Sequence, residues 1–360
     1  MSEAVYALLT GGGTGGHTYP AIAVAQELTE RGHHVRFVGG QRGIEGTVVP
    51  EAGFEIDLLP GRGLQRRATL ANVAALWDAA RAFFRALAIV RRYRPRVVVG
   101  FGGYASMPTV LAARLRRVPV VVHEQDAAPG LANRIGVRVG ARAATSLPDT
   151  PLPRATLTGN PVRAAFAQGT RAPAEHPALL AVFGGAQGAR TINNAALGCY
   201  DLWRARDDLV VHHVCGPKQY DVCAAALAAS RRADDRLGYE LVPYEADMAG
   251  LLGRSTLAVG RAGAGTVAEL TARGVPAVLV PLPGAPSDHQ TRNAQTLERA
   301  GAAVVLPDAE CDPGRLDAVV TTLLAAPVQL TAMGNAARAL GRLDAADRLA
   351  DLIEEHARAA

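Results

Sequence analysis

Lysine is almost missing from this chain: Lys218 is the one lysine among 38 basic residues. A Walker A phosphate loop needs Gly-Lys-Ser/Thr, and Lys218 is followed by Gln219, so that class of ATPase is excluded. Cysteine is scarce as well. Cys199, Cys215, Cys223 and Cys311 show no C-x-x-C spacing, which argues against a zinc site or a disulfide framework and for a reducing, cytoplasmic setting. No apolar run approaches the ~20 residues that a membrane-spanning helix needs. The run from Val5 to Leu9 is too short for a signal peptide and lacks a basic segment before it. H-E-x-x-H, Asp-x-Asp and G-x-S-x-G are absent too, and with them the residues for zinc hydrolysis, metal-chelated sugar transfer and a serine elbow. Neither a metal nor a tightly bound cofactor is expected.

What is present points to two domains, because 360 residues at 49% hydrophobic content exceed the roughly 250–300 residues at which single cores split. The net charge of +5 would suit a nucleic-acid partner. Its arginine-only character, beside abundant alanine, reads instead as composition bias. No nucleic acid is expected, and a basic nucleic-acid-binding protein remains the remote alternative.

The first half alternates strand and helix. Strands are expected at Val5–Thr10, His34–Gly39, Val97–Val99 and Pro119–His123, and helices at Pro20–Arg31, Leu70–Tyr93 and Met107–Arg116. The four prolines between Leu147 and Pro161 mark a junction. Beyond it the alternation restarts, with strands at Leu179–Phe183, Leu209–Val214, Tyr239–Val242, Leu257–Val259, Ala277–Val280 and Ala303–Leu306. Such apolar strands, buried on both faces, imply parallel sheets with helices on each side. The expected domains are 1–160 and 161–340, with a terminal helix over about 341–360 able to pack back on the first.

Three glycine-rich turns each follow an apolar run: Gly11 to His17, Gly184 to Arg190, and Gly260 to Thr266. A strand, a glycine turn and a helix N-terminus together cradle phosphate, since bare backbone N–H groups can approach an anion closely. Gly11, Gly13 and Gly16 satisfy G-x-G-x-x-G, but Phe37-Val38-Gly39-Gly40 stands where a nicotinamide enzyme would place its ribose-binding acid. His17 closes the first turn, either as a helix-terminal histidine bonded to backbone or as a general base. Thr266 and Glu269 have capping-box spacing, while a carboxylate at Glu269 would equally suit the two hydroxyls of a ribose. Gln290 and Asn293, three apart on a helix, would face one sugar. His123-Glu124-Gln125-Asp126 ends a buried strand, where such sheets present ligand groups or carry an ordinary polar loop.

In order and spacing these segments resemble the MurG family, the peptidoglycan N-acetylglucosaminyltransferases of bacteria. The resemblance rests on Gly12 to His17, Gly102-Gly103-Tyr104, His123-Glu124-Gln125, Gly159 to Arg163, Gly184 to Ala189, Arg261 through Glu269, and Asp288-His289-Gln290 with Asn293-Ala294, and it spans about residues 8–305. It implies a glycosyltransferase-B fold, two Rossmann-like doubly wound domains facing across a cleft. It also implies transfer of N-acetylglucosamine from UDP-N-acetylglucosamine to the C4 hydroxyl of undecaprenyl-diphospho-muramoylpentapeptide, with inversion. His17 and Asp126 are then the catalytic candidates. On the donor side the resemblance places Thr14, Gly15, Gly16, Asp126, Arg163, Ala186, Gln187, Gly188, Glu245, Ala264, Gly265, Thr266, Glu269, His289 and Gln290. Gly13, Gly103, Tyr104, His123, Glu124 and Gln125 fall to the acceptor. Asp126, Ala186 and His289 depart from the family's usual asparagine, serine and, in some members, glutamine. A UDP-N-acetylglucosamine 2-epimerase or a diacylglycerol glycosyltransferase of the same fold is the nearer alternative.

A polyprenyl-linked acceptor would bring the enzyme to the cytoplasmic face of the plasma membrane as a peripheral protein. Between Arg62 and Arg96 nine arginines stand against one acid, Asp78, interleaved with Leu64, Leu70, Trp77, Phe83 and Phe84. This pattern fits an anionic membrane surface as well as a helix with a solvated arginine face. The expected contact is the Gly63 to Leu76 stretch, with Leu64, Arg66 and Arg67.

Overall fold

The computed structural model describes residues 6–61, 71–167 and 176–359. The chain divides into two compact units, residues 1–164 with 343–360, and residues 165–342.

The first unit runs β1 (Ala7–Thr10), α1 (Gly15–Glu30), β2 (Val35–Gly40), α2 (Glu45–Glu51), β3 (Ile56–Leu59), α3 (Ala71–Tyr93), β4 (Val97–Gly100), α4 (Ser106–Leu115), β5 (Val120–Glu124), α5 (Leu131–Arg138), β6 (Arg142–Thr145) and β7 (Thr156–Leu157). All pairs are parallel, in the order β3-β2-β1-β4-β5-β6-β7. The two-residue period of a strand sends Ala7 and Leu9 to one face and Leu8 to the other. Leu9, Phe37, Val97 and Val99 pack with Ile22, Val24 and Leu28 of α1, while Leu8, Val38 and Val98 pack with Ala86, Ile89 and Val90 of α3. Both faces are therefore covered, as the β-branched strands require. The terminal helix joins the first of these layers through Leu349, Leu352 and Ile353, burials of about 1.5–3 kcal/mol each.

A short helix, α6 (Ala164–Ala167), follows β7. The second unit then runs β8 (Ala178–Phe183), α7 (Arg190–Gly198), α8 (Tyr200–Trp203), β9 (Leu209–Val214), α9 (Tyr220–Ser230), β10 (Gly238–Val242), α10 (Met248–Arg254), β11 (Leu257–Gly260), α11 (Ala264–Arg273), β12 (Ala277–Leu279), α12 (His289–Arg299), β13 (Ala303–Val305), α13 (Pro313–Leu324) and α14 (Pro327–Leu340). The terminal helix of the first unit is α15 (Ala345–Arg358). The second sheet is parallel throughout, in the order β10-β9-β8-β11-β12-β13. Its core packs Leu180, Val182 and Val259 of the sheet with Ile192 of α7 and Leu316 of α13.

Some elements differ from the sequence expectation. Helix α1 begins at Gly15 rather than Pro20, so Pro20 lies inside the helix, past its first turn, where it forgoes a backbone bond and crowds the carbonyl four residues back. Helix α2 was not anticipated, with a glycine, two adjacent valines and Pro50 in seven residues. Strands β3 (IDLL), β6 (RAAT) and β7 (TL) lack the apolar, β-branched runs that mark β4 and β5 in the sequence.

Candidate active site

In a doubly wound sheet, ligands bind beyond the carboxyl ends of the strands where the strand order reverses. In the first unit that point lies between β1 and β4. The first glycine turn leaves β1 there, and the loop Phe101 to Tyr104 leaves β4. In the second unit it lies between β8 and β11, which lead into the second and third glycine turns. The three helices that follow these turns, α1, α7 and α11, receive no side-chain bond from their N-cap residues Thr14, Ala189 and Gly263. Helices α10 and α13 are capped by the carboxylates of Asp247 and Asp312, whereas α4, α5, α9 and α12 also lack a side-chain cap, so what sets the three apart is the glycine turn before each. A helix N-terminus without its own carboxylate cap suits an anionic ligand.

In the first unit Gly13 and Thr14 are exposed, and Gly15, Gly16 and His17 half-buried. His17 Nδ1 lies 3.2 Å from the carbonyl oxygen of Gly12 and 3.2 Å from the Thr14 hydroxyl. Gly103, at φ +79°, passes so close to Gly12 that a Cβ would collide with its carbonyl, which ties the two loops together. The Tyr104 hydroxyl donates to the carbonyl of Pro60 at 2.8 Å.

The polar end of β5 is enclosed rather than presented. His123, Glu124 and Gln125 are buried. His123 Nε2 lies 2.9 Å from the Gly159 carbonyl, and its Nδ1 accepts from the Gln125 amide at 3.1 Å. Burial pushes this imidazole down to about 4, against the opposing pull of the Gly159 bond. Glu124 accepts from the Asn133 amide, Gly130 N–H and Asp126 N–H at 2.9, 2.9 and 3.2 Å. Burial still pushes its carboxyl up to about 7. These side chains brace the turn into α5, and of the segment it is Asp126, half-buried, that reaches the surface. Arg163 is exposed, its guanidinium 5.8 Å from the Tyr19 ring centroid.

In the second unit Ala186 and Gln187 are exposed. Gly188 has φ +73° and packs against the Cys215 carbonyl, where a Cβ would collide. The third turn uses glycine differently. Gly263 has an ordinary φ of −66°, and a Cβ on Gly263 or Gly265 would meet no atom within 4 Å. Glycine there leaves room for a close approach. Because α11 begins at Ala264, Thr266 lies inside the helix, so the capping-box reading is overturned; Glu269 sits half-buried one turn further on.

Gln290 and Asn293 do not share a sugar-facing surface. Asn293 is fully buried and donates to the Ala262 carbonyl at 3.0 Å, holding the third turn from beneath. Gln290 is half-buried, and its side-chain oxygen accepts from Leu282 N–H at 3.0 Å. His289 Nδ1 is 2.8 Å from the Pro286 carbonyl. Glu245 accepts from Asp247 N–H at 2.7 Å, and its other oxygen lies 3.1 Å from His212 Nε2. Buried Arg261 donates to the carbonyls of Val280 and Pro281 and, at 2.5 Å, to Asp308, which also accepts from Thr191. Asp308 thereby links the third turn to the start of α7. The sequence reading missed it, and no local pattern marks it. Glu45 was missed too, although the glycines at 39, 40 and 43 hinted at a crowded side chain nearby.

Two parallel α/β units, each with glycine turns and a helix N-terminus at its switch point, define a protein of two Rossmann-like, nucleotide-binding-type domains. Residues 7–145 match the glycosyltransferase family 28 N-terminal domain, and residues 179–349 match the family's C-terminal domain. The UDP-N-acetylglucosamine–N-acetylmuramyl-(pentapeptide) pyrophosphoryl-undecaprenol N-acetylglucosamine transferase of Alkalilimnicola ehrlichii is 42% identical over 98% of this chain and 99% of its own. The enzyme of that name from Halorhodospira halophila is also 42% identical, over 96% and 97%. The crystal structure of MurG from Acinetobacter baumannii superposes with a TM-score of 0.82 at 30% identity, over 98% of this chain and 99% of that one. The chain belongs to glycosyltransferase family 28 and, within it, to the MurG family. A UDP-N-acetylglucosamine 2-epimerase structure, at TM-score 0.68 and 14% identity over 100% of this chain and 98% of that one, shares the fold alone.

Proposed function

We propose that this chain transfers N-acetylglucosamine from UDP-N-acetylglucosamine to the C4 hydroxyl of the muramoyl sugar in undecaprenyl-diphospho-muramoylpentapeptide, with inversion. The observation that carries this reading is 42% identity over nearly the whole chain to transferases named for that donor and acceptor. The acceptor oxygen attacks the anomeric carbon, its proton passes to a base, and the bond to UDP breaks with the electron pair leaving on the diphosphate. His17 is the base we assign, with Asp126 as its rival. The N-terminus of α11, at Ala264, Gly265 and Thr266, and the Arg163 guanidinium stabilise the departing charge. Glu269 holds the ribose hydroxyls, Gln290 and His289 the donor sugar, and the backbone at Glu245 the uracil, while Ala186, Gln187 and Gly188 complete the nucleotide site. Thr14, Gly15 and Gly16 are assigned to donor binding as well. Gly13, Gly103 and Tyr104 serve the acceptor, with His123, Glu124 and Gln125 bracing the loop behind them. No resident metal or cofactor is part of this scheme.

The polyprenyl acceptor brings the enzyme to a membrane, and α3 supplies a surface for it at the cytoplasmic face. Ala82, Ala86, Ile89 and Val90 of α3 face the core. Its outer stripe carries Trp77 and Phe84, 68% and 67% exposed, among the exposed Arg81, Arg85, Arg91 and Arg92. Aromatic side chains ringed by arginine suit the anionic headgroup region. Leu64, Arg66 and Arg67, the contact expected from the sequence, lie outside the described residues. Among the described residues no single helix is long and apolar enough to cross a membrane. The deciding experiment incubates radiolabelled UDP-N-acetylglucosamine with a short-chain lipid-linked muramoylpentapeptide. A lipid-linked disaccharide is expected, whereas an epimerised nucleotide sugar formed without acceptor would overturn the reading.

A further inference from the structure

Glu45, the first residue of α2, is 2% exposed. One of its carboxylate oxygens accepts the N–H of Gly13 at 3.0 Å, and the other accepts the N–H of Gly40 at 2.8 Å. A Cβ on Gly12 or Gly43 would collide with this carboxyl group, and one on Gly39 with the Glu45 Cγ. Three segments, the first glycine turn, the end of β2 and the start of α2, are thus closed around one carboxylate.

The Gly13 N–H and the Gly12 carbonyl belong to the same peptide group. That group is planar and trans, so its N–H and C=O point in opposite directions and turn together. Glu45 holds the N–H end, and the carbonyl end meets His17 Nδ1 at 3.2 Å. Gly12 and Gly13 have φ of +152° and +91°, a backbone that other orientations of this peptide would readily replace. We infer that Glu45 is a positioning residue for His17, setting its ring orientation and tautomer through the Gly12–Gly13 peptide. The carboxylate pins the plane, the plane presents the carbonyl, and the carbonyl, which can only accept, selects the tautomer with the proton on Nδ1, since the Thr14 hydroxyl 3.2 Å away can serve either tautomer. A carboxylate does this where an amide cannot: a glutamine offers one accepting oxygen, so either Gly13 or Gly40 would face an NH2 group.

This inference rests on the reading of His17 as the acceptor-side base, so its test has an arm that does not need turnover. In the first arm, kcat on the short-chain lipid-linked acceptor is measured for Glu45→Gln, His17→Ala and the double variant. Displacement of the ring should cost Glu45→Gln about 10- to 10²-fold in kcat, with UDP affinity held within about twofold. In the His17→Ala background the same substitution should change kcat by no more than about twofold, because its route of action is gone. Multiplying losses would overturn the inference, as would unchanged kcat in the single variant or a Glu45→Gln protein that does not fold. In the second arm, the ring nitrogens of His17 are followed by NMR. Wild type should hold its proton on Nδ1 and Glu45→Gln should show a mixed tautomer; the same tautomer in both would overturn the inference even if the acceptor proves to be a different molecule.

Discussion

His17 Nδ1 stands 3.2 Å from the carbonyl oxygen of Gly12. A carbonyl can only accept, so this bond forms in the tautomer with the proton on Nδ1 and the lone pair on Nε2; the Thr14 hydroxyl, also 3.2 Å from Nδ1, can serve either tautomer. Nε2 lies on the side of Gly102, where a Cβ would come within 3.3 Å of it. Glycine at the start of the Gly102-Gly103-Tyr104 loop thus leaves space beside the nitrogen that would take a proton.

The assignment of the base is tested by comparing two variants. His17→Ala should lower kcat by about 10²- to 10⁴-fold, the usual loss for a general base, with the donor KM little changed. Asp126 is the competing carboxylate, reaching the surface at the end of the β5 loop. A near-normal rate for His17→Ala beside a collapse for Asp126→Ala would transfer the role to Asp126.

Glu269 lies inside α11 and not at its cap, so its removal should leave the helix intact. Glu269→Gln is expected to raise the donor KM by about 10- to 10²-fold, the loss of charge-assisted hydrogen bonds to a diol. The melting temperature should stay close to that of wild type, as for a substitution away from caps and core. A fall in melting temperature with unchanged KM would mean that the carboxylate serves the fold.

Adjacent residues of β5 should make opposing contributions to stability against pH. His123 is held below its ordinary 6.5, near 4, so the unfolded chain binds more protons between those values and stability rises with pH there. Glu124 is held above its ordinary 4.5, near 7, so the folded chain binds more protons and stability falls as pH rises through that range. Between about 4.5 and 6.5 the two offset each other. In Glu124→Gln only the histidine contribution remains, and stability should climb with pH by up to about 1.4 kcal/mol per unit more than in wild type. Parallel denaturant-unfolding profiles of the two proteins over this range would disprove it.

Trp77 and Phe84 of α3 are expected to enter the interfacial region of anionic vesicles. Each buried aromatic is worth about 1.5–3 kcal/mol, so replacing both with serine should weaken vesicle binding by more than about tenfold. Turnover of a soluble short-chain acceptor should be unaffected. Equal co-sedimentation of the variant and wild type would assign membrane contact to another surface.

The sequence by itself determined the parallel α/β architecture, because runs such as Val97-Val98-Val99 and Val120-Val121-Val122 are stable only with both faces buried. It also determined where anions are met, since glycines directly after apolar strands combine backbone freedom with a helix N-terminus. Periodicity and spacing are local properties, and a single chain displays them. The tertiary structure decided what each polar side chain does. It turned Asn293 inward to the Ala262 carbonyl, enclosed the His123-Glu124-Gln125 segment, and began α11 at Ala264, so that Thr266 no longer caps it. It also brought Glu45 to Gly13 across 32 residues and Asp308 to Arg261 across 47. These partners lie on different strands and loops. A hydrogen bond depends on distance and direction to about an ångström, and chain spacing does not specify either until the sheets have stacked those segments side by side.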